Sequence, residues 1–426
     1  GAEGASPLGL ISQAKGQGRI SSNILFCHLT RSSSDSLAFS TLRGMHCMLD
    51  KNYLYTPGPT PVPPQVVAAM GRPMMGHRSE EFAKLHGEIV EKAKLVFQTA
   101  NDLFVLTTSG TGGMETAIAN TVAPGDRVLA LVTGNFGERF AKIASAYGGV
   151  VTKIETPWGT TFDMDQVIQV FEKEGPFKVV LATHNETSTG VTNDIAALGN
   201  YLANTEALLL VDAVSSMGAM DIRTDEWHVD IIVTGSQKAL MLPPGLALVS
   251  VSPKAWPVIE ANHGVRFYFS LLEARKSFEK KNTPWTPAVS LFYGLDAALD
   301  MILTEGLTNV FQRHARMTKA ARAGARALGL KLLADNSVAS HTVTAILPGT
   351  EVGASDLSKI LQKELGVTFA GGQGQLKGKL LRIGHMGYCS ELDVITAMAA
   401  LEMALHKAGV AVGLGIGVKA AEEALL

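Results

Sequence analysis

Seven short runs of apolar residues lie between residues 103 and 251, and each run is continuous rather than alternating with polar residues. Continuous apolar runs predict strands that are buried on both faces of a mostly parallel sheet. Helix-like stretches such as 163–174 and 192–202 separate several of the runs, and this alternation indicates an α/β layered domain. The predicted strands lie at residues 103–106, 128–132, 150–154, 179–182, 208–211, 231–233 and 246–251.

The pattern changes after Pro287, where helical stretches dominate from residue 291 to 328. Strand-like runs at 343–347 and 380–383 then flank a helical stretch at 355–365, which predicts a smaller α+β domain. We therefore expect four parts. They are an N-terminal extension at 1–48, a large domain with an N-terminal arm at 49–304, a small domain at 305–408, and a loose glycine-rich tail at 409–426.

Composition narrows the classes of partner. The chain has 426 residues and a formal charge of −2, so nothing favours nucleic acid or an anionic membrane as a partner. No apolar run reaches the roughly 18 residues that suggest a membrane span. The three cysteines, Cys27, Cys47 and Cys389, form neither a metal-ligand spacing nor a disulfide framework. We expect no metal site and a reducing compartment.

The first 48 residues differ from the rest. They are rich in serine and in basic residues, and Glu3 and Asp35 are their only acids, a composition that resembles an organellar transit segment. The alternative is upstream sequence that precedes a start at Met45 or Met48. We expect a cytoplasmic protein, or a plastid or mitochondrial one if residues 1–48 are a genuine transit segment.

Polar clusters follow four of the predicted strands. They are the turn 107–113, which is Thr-Thr-Ser-Gly-Thr-Gly-Gly, the loop 184–190, the single carboxylate Asp212, and the segment 234–238 that ends in Lys238. Ligands of open α/β sheets bind beyond the carboxyl ends of the strands. The glycine-rich turn before a helix lets backbone N–H groups approach an anion. The residues by themselves therefore predict a phosphate-bearing cofactor on an α/β sheet.

Competing motifs are incomplete. Glu115 stands where the third glycine of GxGxxG would be, and Gln373 stands where a P-loop ending at Gly378-Lys379 needs a glycine. The histidines include no HExxH pair. A dehydrogenase, a P-loop nucleotidase and a zinc hydrolase are all disfavoured. A phosphate site, a carboxylate and a lysine together suit pyridoxal 5′-phosphate, whose phosphate, ring nitrogen and aldehyde need these three groups.

At these residues the chain resembles the class V pyridoxal-phosphate aminotransferases, in particular the alanine–glyoxylate/serine–pyruvate group. The most specific segment is Gly-Ser-Gln-Lys-Ala-Leu at 235–240, followed by Pro-Pro-Gly at 243–245. Similar segments are Thr-Pro-Gly-Pro-Thr at 56–60, Gly-His-Arg-Ser at 76–79, Glu-Thr-Ser-Thr-Gly at 186–190 and Leu-Arg-Ile-Gly at 381–384. The resemblance implies fold type I, pyridoxal 5′-phosphate as cofactor, and a homodimer with active sites at the subunit interface.

The resemblance also assigns roles to single residues. Lys238 matches the Schiff-base lysine and Asp212 the partner of the pyridinium nitrogen, so these two are the expected catalytic residues. Arg382 matches the arginine that binds the substrate carboxylate, for which a planar fork is better suited than a lysine. The other matched residues are Thr111, Gly112 and Gly113 in the phosphate-binding turn, Gln237 at the phosphate, Phe136 stacked on the ring, and Ser188 beside the ring and the substrate.

Two segments match less closely. The stretch Asn-Thr-Pro at 282–284 resembles the one that reaches the phosphate of the neighbouring subunit, and we prefer Thr283 to Thr286 for that contact. His77 and Arg78 have two open interpretations, which are a place near the substrate entrance and a purely structural role.

The predicted reaction is a ping-pong transfer of an amino group from alanine or serine to glyoxylate or pyruvate. The partners would thus be small amino acids and 2-oxo acids. The alternatives are aspartate–pyruvate or ureidoglycine–glyoxylate transamination within the same class, and a cysteine desulfurase-like lyase. The last requires a nucleophilic cysteine, and the sequence around Cys389 does not resemble such a site.

Overall fold

The computed structural model describes residues 51–349 and 351–426. The predicted extension at 1–48 lies outside the described residues. The strands are β1 (Tyr53–Tyr55), β2 (Asp102–Leu106), β3 (Arg127–Val132), β4 (Val150–Glu155), β5 (Val179–Thr183), β6 (Asn185–Glu186), β7 (Val191–Thr192), β8 (Leu208–Asp212), β9 (Ile231–Gly235), β10 (Ala247–Val251), β11 (Lys331–Leu332), β12 (Val343–Leu347), β13 (Val367–Gly371) and β14 (Leu381–Gly384).

The helices are α1 (Pro64–Met70), α2 (Glu80–Phe97), α3 (Gly110–Thr121), α4 (Asn135–Ala146), α5 (Met164–Glu174), α6 (Ile195–Leu202), α7 (Ala255–Ala261), α8 (Leu271–Phe278), α9 (Val289–Glu305), α10 (Leu307–Ala327), α11 (Ala354–Glu364), α12 (Glu391–Lys407) and α13 (Ile416–Leu425). None of the helices in this part of the chain is both long and apolar enough to cross a membrane.

The larger sheet has seven strands in the order β2-β10-β9-β8-β5-β3-β4, and only β10 runs antiparallel to its neighbours. Its strands coincide with the seven apolar runs, which confirms the predicted mostly parallel sheet. Successive residues of a strand face opposite sides of the sheet. Leu209 and Val211 of β8 accordingly pack into one core, whereas Leu208 and Leu210 pack into the other.

The smaller sheet has the order β1-β13-β14-β12-β11, and it packs with α10 to α13 around a separate core. The predicted strands at 343–347 and 380–383 are both in it. One strand is unexpected, because β1 comes from the N-terminal arm, which we assigned to the large domain, and it pairs in parallel with β13. The division at residues 304 and 305 stays a prediction, and α9 ends at that position.

The C-terminal tail differs from the sequence-based expectation of a loose extension. Residues 416–425 form α13, which packs on α10 and α12. The buried carboxylate of Glu402 on α12 accepts hydrogen bonds from the backbone N–H groups of Gly415, Gly417 and Val418, which include the first turn of α13. A buried carboxylate at a helix N-terminus satisfies donors that have no partner within the helix. The tail is thereby anchored.

Parallel strands place their carboxyl ends at one edge of the sheet. In the described register, Thr183 at the end of β5 lies opposite Asp212 at the end of β8, and Asp212 lies opposite Val233 of β9. The polar clusters predicted from sequence therefore meet at this edge.

Candidate active site

Lys238 lies three residues after the end of β9 and is 8% exposed. Its Nζ donates a hydrogen bond to the carbonyl oxygen of Pro57, and Thr60 donates to the Lys238 carbonyl at 3.0 Å. Burial lowers the pKa of the Lys238 amine from 10.5 to about 8; the charge of Arg382 adds to this shift and that of Asp212 opposes it. A lysine that is neutral at mildly alkaline pH is suited to attack a carbonyl group.

Gly58 explains how Lys238 reaches Pro57. Its φ is +117°, a conformation that favours glycine, and a Cβ on it would lie 2.5 Å from Lys238 Nζ. The segment 56–60 therefore covers the lysine closely only because it has no side chain at this point.

Asp212 ends β8, and its carboxylate is buried. One oxygen accepts the Val214 backbone N–H at 2.9 Å. Burial raises the pKa of Asp212 from 3.8 to about 6, the charge of Glu186 also raises it, and Lys238 and Arg139 lower it. At neutral pH the group is thus a buried carboxylate that a cationic partner would stabilise.

The predicted phosphate turn opens α3. Ser109 caps this helix by accepting the Gly112 N–H at 3.3 Å, while the N–H groups of Gly110 and Thr111 have no acceptor within the described residues. A Cβ on Gly112 would lie 1.9 Å from the Thr108 hydroxyl, and one on Gly113 would lie 2.5 Å from Val233. The turn is therefore a close-packed cradle with free backbone donors at a helix N-terminus, as an anion requires.

Gln237 adds a side chain to this cradle. Its Oε1 is buried and has no hydrogen-bond partner in the described part of the chain, and it lies within 2.9 Å of the Cβ position of Gly235. Rotating the amide by 180° would present its NH₂ donor at the same place. An orphaned buried amide beside free backbone N–H groups fits a bound phosphate.

Phe136 and Ser188 belong to a second wall, which Glu186 organises. The buried Glu186 carboxylate accepts the N–H groups of Phe136 and Gly137 at 3.0 Å and the Ser188 hydroxyl at 2.5 Å. The Ser188 hydroxyl in turn accepts the Asn135 N–H at 2.9 Å. The start of α4, which carries the aromatic ring, is thus fixed against the loop that carries Ser188.

Arg382 lies on β14, and its side chain is buried. Its Nε donates to the Gly371 carbonyl at 2.9 Å and its Nη1 to the Thr187 carbonyl at 3.1 Å. Burial lowers the pKa of the guanidinium to about 10. Its Nη2 donates to no group that the structure describes, so the fork is held in place with one arm available for a ligand.

The residues Thr283, Thr286 and Arg78 belong to, or contact, the loop at 282–286, which lies beside Thr107. Thr283 is buried and donates its hydroxyl to the Trp285 carbonyl at 2.8 Å, whereas Thr286 is exposed. Arg78 donates to Asn282 Oδ1 at 2.6 Å and to the Thr283 carbonyl. Arg78 therefore tethers the loop that carries both threonines, which favours the structural interpretation of that residue.

The sequence interpretation missed two residues that touch the site. Glu186 is the first residue of the Glu-Thr-Ser-Thr-Gly segment, and the sequence predicts no role for it. Arg139 lies one helical turn after Phe136, and its Nη1 donates to the Thr111 hydroxyl at 3.1 Å. The spacing of three residues was the available signal, since side chains at i and i+3 share a face of a helix. Lysine, carboxylate, anion cradle and aromatic wall together fit pyridoxal 5′-phosphate.

Known proteins resemble this chain along most of its length. The sequence model of the family described as Aminotransferase class-V matches residues 52–387. The L-aspartate–glyoxylate aminotransferase of Paracoccus denitrificans is 41% identical over 88% of this chain and 96% of its own. The serine–glyoxylate aminotransferase of Arabidopsis thaliana is 37% identical over 87% and 94%. The crystal structure of ureidoglycine–glyoxylate aminotransferase from Bacillus subtilis superposes with a TM-score of 0.84 at 31% identity and covers 89% of this chain and 99% of its own.

Proposed function

The chain belongs to the class V aminotransferases, and we propose that it transfers the amino group of a small amino acid, alanine or serine, to glyoxylate. The expected fold type I architecture and the cofactor pyridoxal 5′-phosphate are confirmed by this membership. The observation that carries the substrate proposal is the Arg382 guanidinium, which two backbone carbonyl groups hold in place with one arm free. Alanine, serine, pyruvate and glyoxylate each have one carboxylate, so one such fork is sufficient for them.

We propose that Lys238, Asp212 and Arg382 divide the work as the resemblance implies. When bound, the cofactor supplies a carbonyl group that takes up the amino group and a ring that stabilises negative charge at the substrate Cα. Lys238 Nζ, whose pKa is about 8, takes and returns a proton near neutral pH. The Pro57 carbonyl holds this amine in place.

Asp212 supplies a buried negative charge that would pair with a protonated ring nitrogen of the bound cofactor. Arg382 fixes the substrate carboxylate, and with it the Cα–H bond, relative to Lys238. The same three residues serve both half-reactions, because the second keto acid carries the same carboxylate and receives the same amino group.

A second donor deserves a test because the relative from Paracoccus denitrificans is named for aspartate. Aspartate carries a second carboxylate, which would need a cation besides Arg382. A lyase that transfers sulfur is disfavoured, because burial raises the pKa of the Cys389 thiol to about 12, far from the range of a reactive thiolate.

We also propose that the protein is a homodimer in which Thr286, rather than Thr283, reaches the neighbouring phosphate. An exposed apolar surface made of Val265, Phe267 and Tyr268, with the half-buried Trp285 packed against it, supports the contact. Val265 and Phe267 are 95% and 75% exposed, and Phe267 stacks on Trp285 at 4.6 Å between ring centroids. Clustered apolar side chains of this kind mark interfaces. Thr286 follows this surface directly and is exposed, whereas the Thr283 hydroxyl is already bonded.

The reaction is tested by titrating the cofactor-loaded protein with alanine, serine and aspartate while the absorbance of the lysine-bound cofactor is recorded. We expect that alanine or serine abolishes the band and that glyoxylate restores it, whereas Lys238→Ala lacks the band from the start. A response to aspartate alone would replace the donor assignment. No response to any amino acid, or release of sulfide from cysteine, would overturn the proposal.

The dimer is tested by mixing two chains, one with Lys238→Ala and one with Thr286→Ala. In a mixed dimer, the site that retains Lys238 receives an intact Thr286 from the other chain. We expect this site to bind the cofactor as the unchanged protein does, whereas the Thr286→Ala homodimer binds it weakly. Equal weakness of both, or a loss with Thr283→Ala instead, would refute the assignment.

A further inference from the structure

Arg139 touches two parts of the candidate cofactor site at once. Its Nη1 donates to the Thr111 hydroxyl at 3.1 Å, and its guanidinium carbon lies 4.7 Å from the centroid of the Phe136 ring. Thr111 belongs to the turn at the start of α3, and Phe136 to the first turn of α4. One side chain therefore links the phosphate cradle to the aromatic wall.

The charge of Arg139 has no acidic partner among the described residues. Other cations near α4 do have one, since Lys142 and Lys153 both form salt bridges with Glu138. Arg139 is half-buried, and a partly desolvated cation without a counter-charge is unfavourable. Its positive charge also lowers the pKa values of Asp212 and Lys238, so it lies close enough to act on both groups.

Two sources of positive potential thus converge at Thr111. The first is the N-terminus of α3, whose N–H groups at Gly110 and Thr111 have no acceptor within the described residues. The second is the Arg139 guanidinium, which holds the Thr111 hydroxyl. A ligand that satisfies both carries a negative charge and several acceptor oxygens, and a phosphate monoester meets this requirement.

We propose that Arg139 is a positioning residue for the cofactor phosphate, acting through the Thr111 hydroxyl and through its own unpaired charge. This inference rests on the proposed function, because it assumes that pyridoxal 5′-phosphate binds at Lys238. The Thr111 hydroxyl has one proton and two lone pairs. Since Arg139 donates to one lone pair, the proton is directed away from the guanidinium and is free to be donated to a phosphate oxygen.

The test compares two ligands that differ only in the phosphate. The apoprotein is titrated with pyridoxal 5′-phosphate and with pyridoxal, and binding is followed by protein fluorescence. For Arg139→Met we expect the Kd of pyridoxal 5′-phosphate to rise about tenfold to hundredfold, as for a lost hydrogen bond to a charged group. The Kd of pyridoxal should change less than about twofold, and Arg139→Lys should recover part of the loss.

Lys142→Met on the same helix is the matched control, because it removes an exposed cation that lies outside the site. Far-UV circular dichroism of each variant verifies the fold, and Arg139→Gln replaces Arg139→Met if the latter does not fold. An equal loss for both ligands would overturn the proposal, since it would place the effect in the Phe136 ring contact, and so would an unchanged Kd for pyridoxal 5′-phosphate. Failure of the unchanged protein to form the lysine-bound band would instead refute the proposed function.

Discussion

The replacement Glu186→Gln tests whether one buried carboxylate holds the site together. Its four donors are the N–H groups of Phe136 and Gly137, both at 3.0 Å, and the N–H and hydroxyl of Ser188, at 3.1 and 2.5 Å. Burial raises the pKa of the Glu186 carboxyl, while these hydrogen bonds act against that shift. A side chain that faces only donors needs two acceptor atoms at its end. A carboxylate has two such oxygens, whereas an amide has one oxygen and one NH₂ group.

The expected cost follows from the number of donors that lose their acceptor. The glutamine keeps one oxygen, so either the pair on Phe136 and Gly137 or the pair on Ser188 faces an NH₂ group instead. A hydrogen bond to a charged group contributes about 1.5–3 kcal/mol. The loss of two such hydrogen bonds therefore costs about 3–6 kcal/mol. This is a large part of the free energy of unfolding of a typical domain, which is about 5–15 kcal/mol.

The assay is urea unfolding of the apoprotein, followed by circular dichroism, together with a titration of cofactor binding. Glu138→Gln on the same helix is the control, because Glu138 forms partly exposed ion pairs with Lys142 and Lys153. Surface pairs contribute about 0–1 kcal/mol each. We expect a much lower unfolding midpoint and weaker cofactor binding for Glu186→Gln than for Glu138→Gln. Similar midpoints for the two variants would refute the role assigned to Glu186.

Three further predictions concern the lysine and the arginine. Gly58→Ala should weaken cofactor binding by about 1–3 kcal/mol, because its Cβ would overlap Lys238. The control is Gly76→Ala, whose Cβ meets nothing within 4 Å and which should bind the cofactor normally. Equal cofactor affinities of the two variants would contradict this prediction. The rate at which the cofactor attaches to Lys238 should rise with pH and level off above about pH 8. The reason is that the Lys238 pKa is lowered from 10.5 to about 8 and that only the neutral amine attacks. A rate that continues to rise up to pH 10 in a stopped-flow experiment would exclude that pKa. Arg382→Lys should raise the KM for donor and acceptor about tenfold or more without changing the cofactor affinity. The control is Arg316→Lys, at an exposed arginine, which should leave the KM unchanged. An unchanged KM for Arg382→Lys would remove Arg382 from the substrate site.

The large sheet could be predicted from the sequence because its strands are buried on both faces. Each strand then has to be apolar at every position, and a continuous run is a local signal. The strand β1 offered no such signal. It has three residues, and its partner β13 lies more than 300 positions along the chain, with Tyr53 opposite Val367. Pairing over such a distance depends on the tertiary arrangement, which a single sequence does not encode locally.

The tail was misjudged for a related reason. Its glycines are typical of a flexible segment, and nothing in residues 409–426 reveals that Glu402 on another helix binds their backbone. The sequence also left the choice between Thr283 and Thr286 as a preference, and it stays a prediction. The two lie three residues apart in similar Thr-Pro dipeptides, and only the burial of one hydroxyl and the exposure of the other distinguishes them.

The site residues that the sequence predicted and those that it did not predict differ in their proposed roles. Lys238, Asp212 and Arg382 were predicted because the proposed reaction demands one particular functional group at each place. Glu186 and Arg139 hold other groups in position, and their partners are backbone N–H groups, a hydroxyl and an aromatic face. Many side chains can make such contacts, so the residue type by itself carries little information. Their importance lies in distances between segments some 28 to 50 residues apart, which only a folded chain defines. Because a site displaced by about 1 Å loses much of its activity, we expect variants of these two residues to affect the reaction even though neither is a reacting group.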